Sequence, residues 1–247
     1  KSQIKKSLCD LGSIDTLIFT VGLAHSKGKN KDYKNFEEVN LITLKNILLS
    51  LRELNNSPEK IIFTSTISVY GEKLDSTYYF EYDRLNPSSP YAITKQKAEF
   101  FLLEHYPEKC WILRLSPVYS TDFDLNLVRR VKIGRFFFKI GDGNRELSLC
   151  NIKNIKKATE EIIDDNIPNG IYNVSDNINY SYNDLLDYYS PYFITKIPYL
   201  LLKLLYICAN IFSNRYLTEN SIKLISDNIY PSDKIEKFVK LNKKLKR

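Results

Sequence analysis

The 247 residues predict an α/β fold, a parallel sheet flanked by helices with a smaller lobe after it. Over about the first 120 residues, short apolar runs alternate with helical patterns at the spacing of parallel strands joined by crossover helices. In the run after Phe36, apolar residues recur on one helical face. Beyond Pro117 the rhythm breaks into shorter segments marked by glycine, proline and asparagine, which suits a separate lobe. The expected regions are therefore 1–120 and 121–247.

A helical start covers part of Ile4–Leu11, and Thr16–Val21 reads as a strand apolar enough to want both faces covered. Leu41, Leu44, Ile47, Leu48 and Leu51 form the stripe of an amphipathic helix over Phe36–Asn55, supported by Glu37 and Glu38 near its start. Lys60–Ser65 is the next strand. A polar loop to Ser88, a helix after Pro90 and a strand over Trp111–Leu115 follow. Leu125–Ile133 reads as a helix, and Arg135–Ile140 as a strand stopped by Gly141-Asp142-Gly143-Asn144. Asn154–Asn166 is helical and ends at Pro168-Asn169-Gly170, Asn173–Ser175 closes a strand, and Ser181 can N-cap a helix over Tyr182–Tyr189. Ile197–Phe212 is strongly apolar, yet shorter than the roughly 20 residues of a membrane span, and contains Lys203 and Asn210. It reads as a packed helix of the smaller lobe. The alternative is a membrane-surface helix, a peripheral contact through 197–212 in which Lys203 snorkels.

A hydrophobic content of 43% is enough to bury a full core and excludes a disordered chain. Cys9, Cys110, Cys150 and Cys208 are dispersed with no Cys-x-x-Cys pair, so no zinc or other metal site and no disulfide framework is expected. Cys110 and Cys150 lie in apolar runs and read as buried free thiols, in keeping with a reducing cytoplasm. The net charge of +7 is spread along the chain without an aromatic-basic platform, so nucleic acid is not an expected partner. Such a charge instead steers anionic substrates toward the protein. The basic tail Lys237–Arg247 reads as a solvated helix end or a frayed terminus.

Two segments carry the chemistry. Tyr91 and Lys95 stand four apart in Ser89-Pro90-Tyr91-Ala92-Ile93-Thr94-Lys95, and Thr66 ends an apolar strand upstream. Residues i and i+4 share a helix face with Cβ atoms roughly 5–6 Å apart, so Lys95 can hold its ammonium beside the Tyr91 oxygen. Opposite charges about 4 Å apart attract by about 4 kcal/mol at an effective dielectric near 20, enough to draw a phenol well below its ordinary value. A tyrosine so shifted serves as a general acid/base, and the Thr66 hydroxyl can hydrogen-bond the same reacting oxygen. Tyr-x-x-x-Lys alone is a weak signal in a chain with 18 tyrosines. The Ser-Pro helix start and the Ser/Thr-tipped strand before it give the pair weight.

Phe63-Thr64-Ser65-Thr66-Ile67-Ser68-Val69-Tyr70-Gly71, followed by Ser89–Lys95, resembles the extended short-chain dehydrogenase/reductases, the NAD-dependent epimerase/dehydratase group acting on nucleotide sugars. Asp15–His25 is similar to that family's fourth strand and the loop under the nicotinamide ribose, and Val39–Leu48 to the helix that follows. Trp111–Tyr119, Ser148–Ile155 and Gly170–Ser175 fall where its later segments stand, so the likeness runs over most of residues 10–240. It implies a Rossmann-like parallel sheet, N-terminally truncated, with a smaller C-terminal substrate-binding lobe from which segments return to the sheet. It further implies a nucleotide-sugar substrate, NAD as cofactor, and a homodimer through the helices read as Phe36–Asn55 and Tyr91–Glu104. NADP stays open because the strand carrying the ribose discriminator is missing.

On this resemblance Tyr91 removes or returns the sugar hydroxyl proton. Lys95 holds the cofactor ribose and lowers the Tyr91 pKa, and Thr66 hydrogen-bonds the reacting oxygen. Thr20 and Gly22 lie along the cofactor, Gly22 allowing close backbone approach. Asn40 orders the site or caps and packs a helix, Ser65 sits near the nicotinamide, and Pro117 and Val118 line its far face. His25 stands between ligand contact and a polar-loop role, His105 reads as structural, and Arg145 as a surface residue. The implied reaction oxidises a carbon of a nucleotide-linked hexose and reduces it again from the other face, a 4-epimerisation in surface polysaccharide synthesis. The alternatives are an NAD(P)H-dependent 4-keto-sugar reductase and a non-catalytic member that has lost cofactor binding. A dehydratase is disfavoured, because Ile67 and Ser68 stand where its Asp-Glu pair would be. Leu115-Ser116-Pro117 and Ser120 depart from the family's Arg-Pro and Val-Tyr-Gly steps.

The family's opening strand, Gly-x-x-Gly-x-x-Gly turn and helix, whose N-terminus receives the pyrophosphate, have no counterpart in these residues. The eight glycines are scattered and methionine is absent. The sequence reads as an N-terminally truncated segment, or as a member without its cofactor end. Thr16–Val21 then lacks a neighbour and becomes an exposed edge, a template for self-association. Residues 1–247 alone are expected to bind NAD weakly and to self-associate. Titration and sedimentation check this, and submicromolar NAD affinity in a monomeric sample would overturn it.

Overall fold

The computed structural model describes residues 2–24, 33–74 and 77–245. Helix α1 (Ser2–Leu8) precedes β1 (Thr16–Phe19). A helical stretch follows as α2 (Tyr33–Glu37), a π-helical turn (Glu38–Ile42) and α3 (Thr43–Glu53). Next come β2 (Lys60–Thr66), a 3-10 turn (Ile67–Tyr70), β3 (Thr77–Tyr78), α4 (Pro90–His105) and β4 (Cys110–Leu115). The chain continues through β5 (Val118–Tyr119), α5 (Leu125–Val131), β6 (Lys132–Ile133), β7 (Phe136–Ile140), β8 (Glu146–Leu147) and β9 (Cys150–Asn151). It then forms α6 (Ile152–Ile163), β10 (Gly170–Val174), β11 (Tyr180–Ser181) and α7 (Tyr182–Tyr189). The last elements are β12 (Ile194–Ile197), α8 (Tyr199–Ile211), α9 (Arg215–Ile225), β13 (Asn228–Ile229) and α10 (Asp233–Glu236).

The α/β fold expected from the alternating pattern is present. The main sheet has the order β1-β2-β4-β10. β1 pairs in parallel with β2, Thr16 beside Lys60, and β2 in parallel with β4, Ile61 beside Cys110. Ile61, Ile62 and Phe63 are all fully buried, as expected of a central strand covered on both faces. β1 lies at the edge, with Ile18 43% exposed.

Two compact units divide the chain. The first comprises residues 1–71, 83–115 and 159–172, and the second residues 72–82, 116–158 and 173–247. In the first, Phe19, Leu44, Leu48, Phe63, Leu102 and Ile112 form the core between sheet and helices. Trp111 Nε1 donates to the Ile167 carbonyl at 2.9 Å, so the buried indole has its partner. In the second, Tyr119, Leu127, Val131, Leu149, Tyr182 and Leu185 are packed together. Its α7 starts as the sequence predicts: Ser181 Oγ accepts from Asp184 N at 3.1 Å, and the Asp184 carboxylate accepts from Ser181 N at 2.9 Å, a capping box. Cys110 and Cys150 are buried free thiols, as expected.

Several expectations need correction. The helix expected to reach Ile133 stops at Val131, and Lys132-Ile133 turns back through Gly134, at φ +58°, to pair antiparallel with β7. A left-handed residue right after the helical run permits the hairpin. The polar loop before Ser88 contains β3, which pairs in parallel with β13. Within the apolar stretch 197–212 the helix α8 packs against α9, but only Ala209 is buried and much of its apolar surface stays exposed.

The tail is not a frayed end over its described part. Val239 and Leu241 are buried, and Asn154 grips the chain at Lys243, accepting from its N–H at 3.0 Å and donating to its carbonyl at 2.7 Å. Asn154 also donates to Asp176 at 2.8 Å, and that carboxylate accepts from Tyr119 and Tyr180 at 2.7 Å each. Tyr180 Oη in turn accepts from Leu245 N at 2.9 Å. Asn154→Ala strands buried backbone groups and should cost about 2 kcal/mol. Urea unfolding checks the loss, and limited trypsin digestion should then cut at Lys240 and Lys243 well before the rest of the chain.

Candidate active site

Thr66 ends β2 in extended backbone, φ −146° and ψ 146°, and its side chain accepts from Ser68 N at 3.2 Å, opening the 3-10 turn. That turn leaves through Gly71 at φ +73°, where a Cβ would fall 2.3 Å from the Asn86 carbonyl oxygen, so only glycine fits. Across from this strand end α4 begins. Ser89 caps it by accepting from Ala92 N at 3.2 Å, and Pro90 occupies the first turn, where its missing N–H costs nothing. Tyr91 stands in that first turn, where the Thr66 side chain acts on its phenol. The two residues that sequence reasoning paired therefore meet.

Lys95, one turn further along, is 2% exposed. Its Nζ donates to the Thr64 carbonyl at 2.9 Å and the Val21 carbonyl at 3.3 Å, and lies 4.6 Å from the Phe63 ring centroid. Burial pushes this ammonium down from the ordinary 10.5 to about 8, with Glu99 acting in the opposite direction. The phenol lowering expected from Lys95 is not found. Burial raises the Tyr91 pKa, with the Thr66 hydrogen bond opposing it. The i, i+4 spacing gives a shared face, but the ammonium turns to the strand-end carbonyls.

Gly22 lies against this lysine, and a Cβ there would come 3.3 Å from Lys95 Nζ. Asn40, fully buried in the π-helical turn, holds the neighbouring backbone: its Oδ1 accepts from Leu23 N at 2.7 Å and its Nδ2 donates to Leu23 O at 3.3 Å. It also donates to Thr94 Oγ1 at 2.9 Å, joining the loop after β1 to α4. Asn40 thus orders the loop rather than capping a helix, and the π-helical turn is the kind of distortion often met at functional sites. Thr20 is exposed just beyond β1.

A buried polar set behind Lys95 escaped sequence reasoning. Glu99, fully buried, accepts from Arg114 Nη2 at 2.8 Å and Nε at 3.2 Å, and from the Ser65 hydroxyl. Arg114 Nη1 donates to Tyr70 Oη at 2.9 Å. Ser65 therefore directs its hydroxyl to Glu99. The overlooked signal was the second interval of four, Lys95 to Glu99, with an arginine inside the apolar strand Cys110–Leu115.

Pro117 and Val118 belong to the second unit, where the Pro117 carbonyl accepts from Cys150 N at 3.1 Å and Val118 pairs with Cys150. His25 lies outside the described residues. His105 closes α4 with Nδ1 3.0 Å from the Phe101 carbonyl. Arg145 is half-buried and ion-paired with Asp227 at 2.9 Å, more engaged than a surface residue.

A model of the NAD dependent epimerase/dehydratase family matches residues 1–175. The chain belongs to the NAD dependent epimerase/dehydratase family. Solved structures agree on the fold. The UDP-glucuronic acid 4-epimerase of Bacillus cereus, in complex with NAD, aligns with TM-score 0.68 at 20% identity over 96% of this chain and 72% of that one. The UDP-glucose 4-epimerase of Thermus thermophilus gives 0.63 at 21% over 80% and 69%. The dTDP-glucose 4,6-dehydratase of Streptomyces venezuelae gives 0.66 at 16% over 100% and 72%. No curated protein matches the sequence.

The described residues of this epimerase/dehydratase-family chain fit one end of the cofactor. Gly22 leaves open backbone beside a buried ammonium, a cradle that a Cβ would fill. For the pyrophosphate, residues 1–247 contain no Gly-x-x-Gly-x-x-Gly turn.

Two measurements test this geometry. Between pH 8 and 10.5 the unfolded chain binds the Lys95 proton more than the folded one does, so stability rises with pH across that window. The stability of Lys95→Met relative to the unaltered protein should be greatest near pH 7 and decline toward pH 10, followed by urea unfolding. Glu99→Gln leaves the Arg114 charge buried without its counterion and should destabilise by about 3 kcal/mol, while the double change Glu99→Leu/Arg114→Met should recover most of that loss.

Proposed function

We propose that the protein is a nucleotide-sugar epimerase that uses NAD to invert a hydroxyl-bearing carbon, C4 of a nucleotide-linked hexose. The observation that carries this reading is the Tyr91 phenol set where the Thr66 side chain acts on it, with a buried lysine one helical turn away. Bound NAD would supply hydride acceptance and return. Gly22 and Lys95 would hold its ribose end, the lysine offering an N–H not already directed to Val21 or Thr64.

In this reading Tyr91 takes the proton from the sugar hydroxyl and later returns it, while Thr66 keeps the same oxygen within reach through its hydroxyl. The phenol is held neutral by burial without ligand, so it acts as base only once positive charge gathers around it. Ile67, which follows Thr66, is buried, and Ser68 N is bonded back to Thr66 Oγ1. Neither residue is an acid that could drive elimination of water, which favours epimerisation over dehydration. Exposed Phe100 on α4 and Leu49 on α3 support a homodimer through these helices.

Tyr91→Phe should lower kcat about 10³-fold in the full-length protein assayed with NAD and UDP-hexoses, with the melting profile retained. Thr66→Val should cost roughly 10–100-fold, the worth of one hydrogen bond to a charged oxygen. If Tyr91→Phe keeps turnover, the reading fails. For the free enzyme, kcat/KM should fall above pH about 8 as Lys95 loses its proton.

A further inference from the structure

Helix α8 is apolar along its length, yet its apolar residues face outward. Leu200, Leu201, Leu204, Leu205, Ile211 and Phe212 are 40% to 81% exposed. At about 100° per residue these six fall within roughly 140° of one side of the helix. Its other side packs against α9. An uncovered face of this kind marks an interaction surface.

Two sequence runs of this unit carry charges of one sign. From Tyr188 to Asn214 the sequence holds Lys196 and Lys203 and neither Asp nor Glu. A second acid-free run, Leu125–Gly141, holds Arg129, Arg130, Lys132, Arg135 and Lys139. The two runs are neighbours in space, because β12 pairs in parallel with β7. That register sets Lys196 directly beside Lys139. Like charges opposite one another on paired strands destabilise a sheet unless something anionic meets them. Asp187 precedes the first run, and Asp124 and Asp142 bracket the second; Asp124 accepts from Tyr189 Oη at 2.7 Å, and Asp142 from Asn144 N at 3.1 Å and Nδ2 at 3.0 Å. At the start of this sheet the β6–β7 hairpin exposes Ile133 (67%) and Phe136 (66%), and Phe193 (70%) immediately precedes β12, whose Ile194 pairs with Phe137.

We propose that this face, α8 together with the β6–β7 hairpin and the start of β12, docks on an anionic lipid surface. Apolar side chains enter the headgroup boundary while the lysines and arginines meet lipid phosphates. Among the described residues no helix is long and apolar enough to cross a membrane, so the attachment is to one leaflet. A second copy fits less well. A two-fold contact pairs a patch with itself and would set Arg135, Lys139 and Lys196 against the same cations.

Flotation of the full-length protein with phosphatidylcholine vesicles, with and without phosphatidylglycerol, tests the proposal. Binding is expected with the anionic vesicles and at least tenfold weaker with the neutral ones. Leu201→Glu/Leu204→Glu should abolish flotation without altering the circular dichroism spectrum. Lys139→Gln/Lys196→Gln should weaken anionic binding roughly tenfold or more, at about fivefold per charge. Failure to float with either vesicle overturns the proposal. So does flotation indifferent to phosphatidylglycerol or to the leucine changes, and so does a dimer that the leucine changes convert to monomer without any vesicle binding.

Discussion

An ammonium group withdrawn from water and set between two strands is the constraint on which the first unit depends. Lys95 reaches from α4 to the carbonyls of Val21 and Thr64, joining the exit of β1, the end of β2 and the helix that carries Tyr91. Removing a charge from water costs several kcal/mol. Backbone dipoles, the Phe63 face and the Glu99 carboxylate offset part of it. Glu99 is itself buried and requires Arg114, which in turn reaches Tyr70. Apolar packing alone would let α4 slide or rotate on the sheet at little cost. This chain of mutually dependent polar groups makes such movement expensive, and the register that brings Tyr91 to Thr66 follows.

The second unit uses a buried carboxylate for another end. Asp176 gathers Tyr119, Tyr180, Asn151 and Asn154, and through Asn154 and Tyr180 the network reaches the backbone of Lys243 and Leu245. Burial raises the pKa of Asp176, and the donors around it act in the opposite direction. The result is a packed tail whose sequence, rich in lysine, looks like that of a solvated end. Its stability rests on backbone groups of the tail finding partners deep in the unit, information that side-chain composition does not carry.

Much of the site was legible in sequence because it is local. A strand ending in Thr64-Ser65-Thr66, a Ser-Pro helix start and residues spaced by four each specify geometry over a few residues, and the structure joins them as expected. What was not legible depends on direction and surroundings. The i, i+4 interval places Lys95 on the face of Tyr91 but does not say where a four-carbon stem will point. Competing acceptors at Val21 and Thr64 decide that, and the Tyr91 pKa moves up rather than down. Glu99 and Arg114 lie fifteen residues apart, and their pairing crosses from helix to strand, which no local pattern specifies.

The sequence by itself determined the alternation of strands and helices, the parallel order that such spacing forces, the capped starts of α4 and α7, and the family. The first three follow from periodicities and turn chemistry acting over fewer than about twenty residues, and the family from the likeness of the motifs Phe63–Gly71 and Ser89–Lys95. Tertiary structure alone decided which apolar helix is covered and which faces outward, which buried charge finds a counterion, and where the tail is held. Burial is a property of what packs against a residue from elsewhere in the chain. Leu201 in α8 and Leu48 in α3 are the same amino acid in the same secondary structure, one 60% exposed and the other 2%.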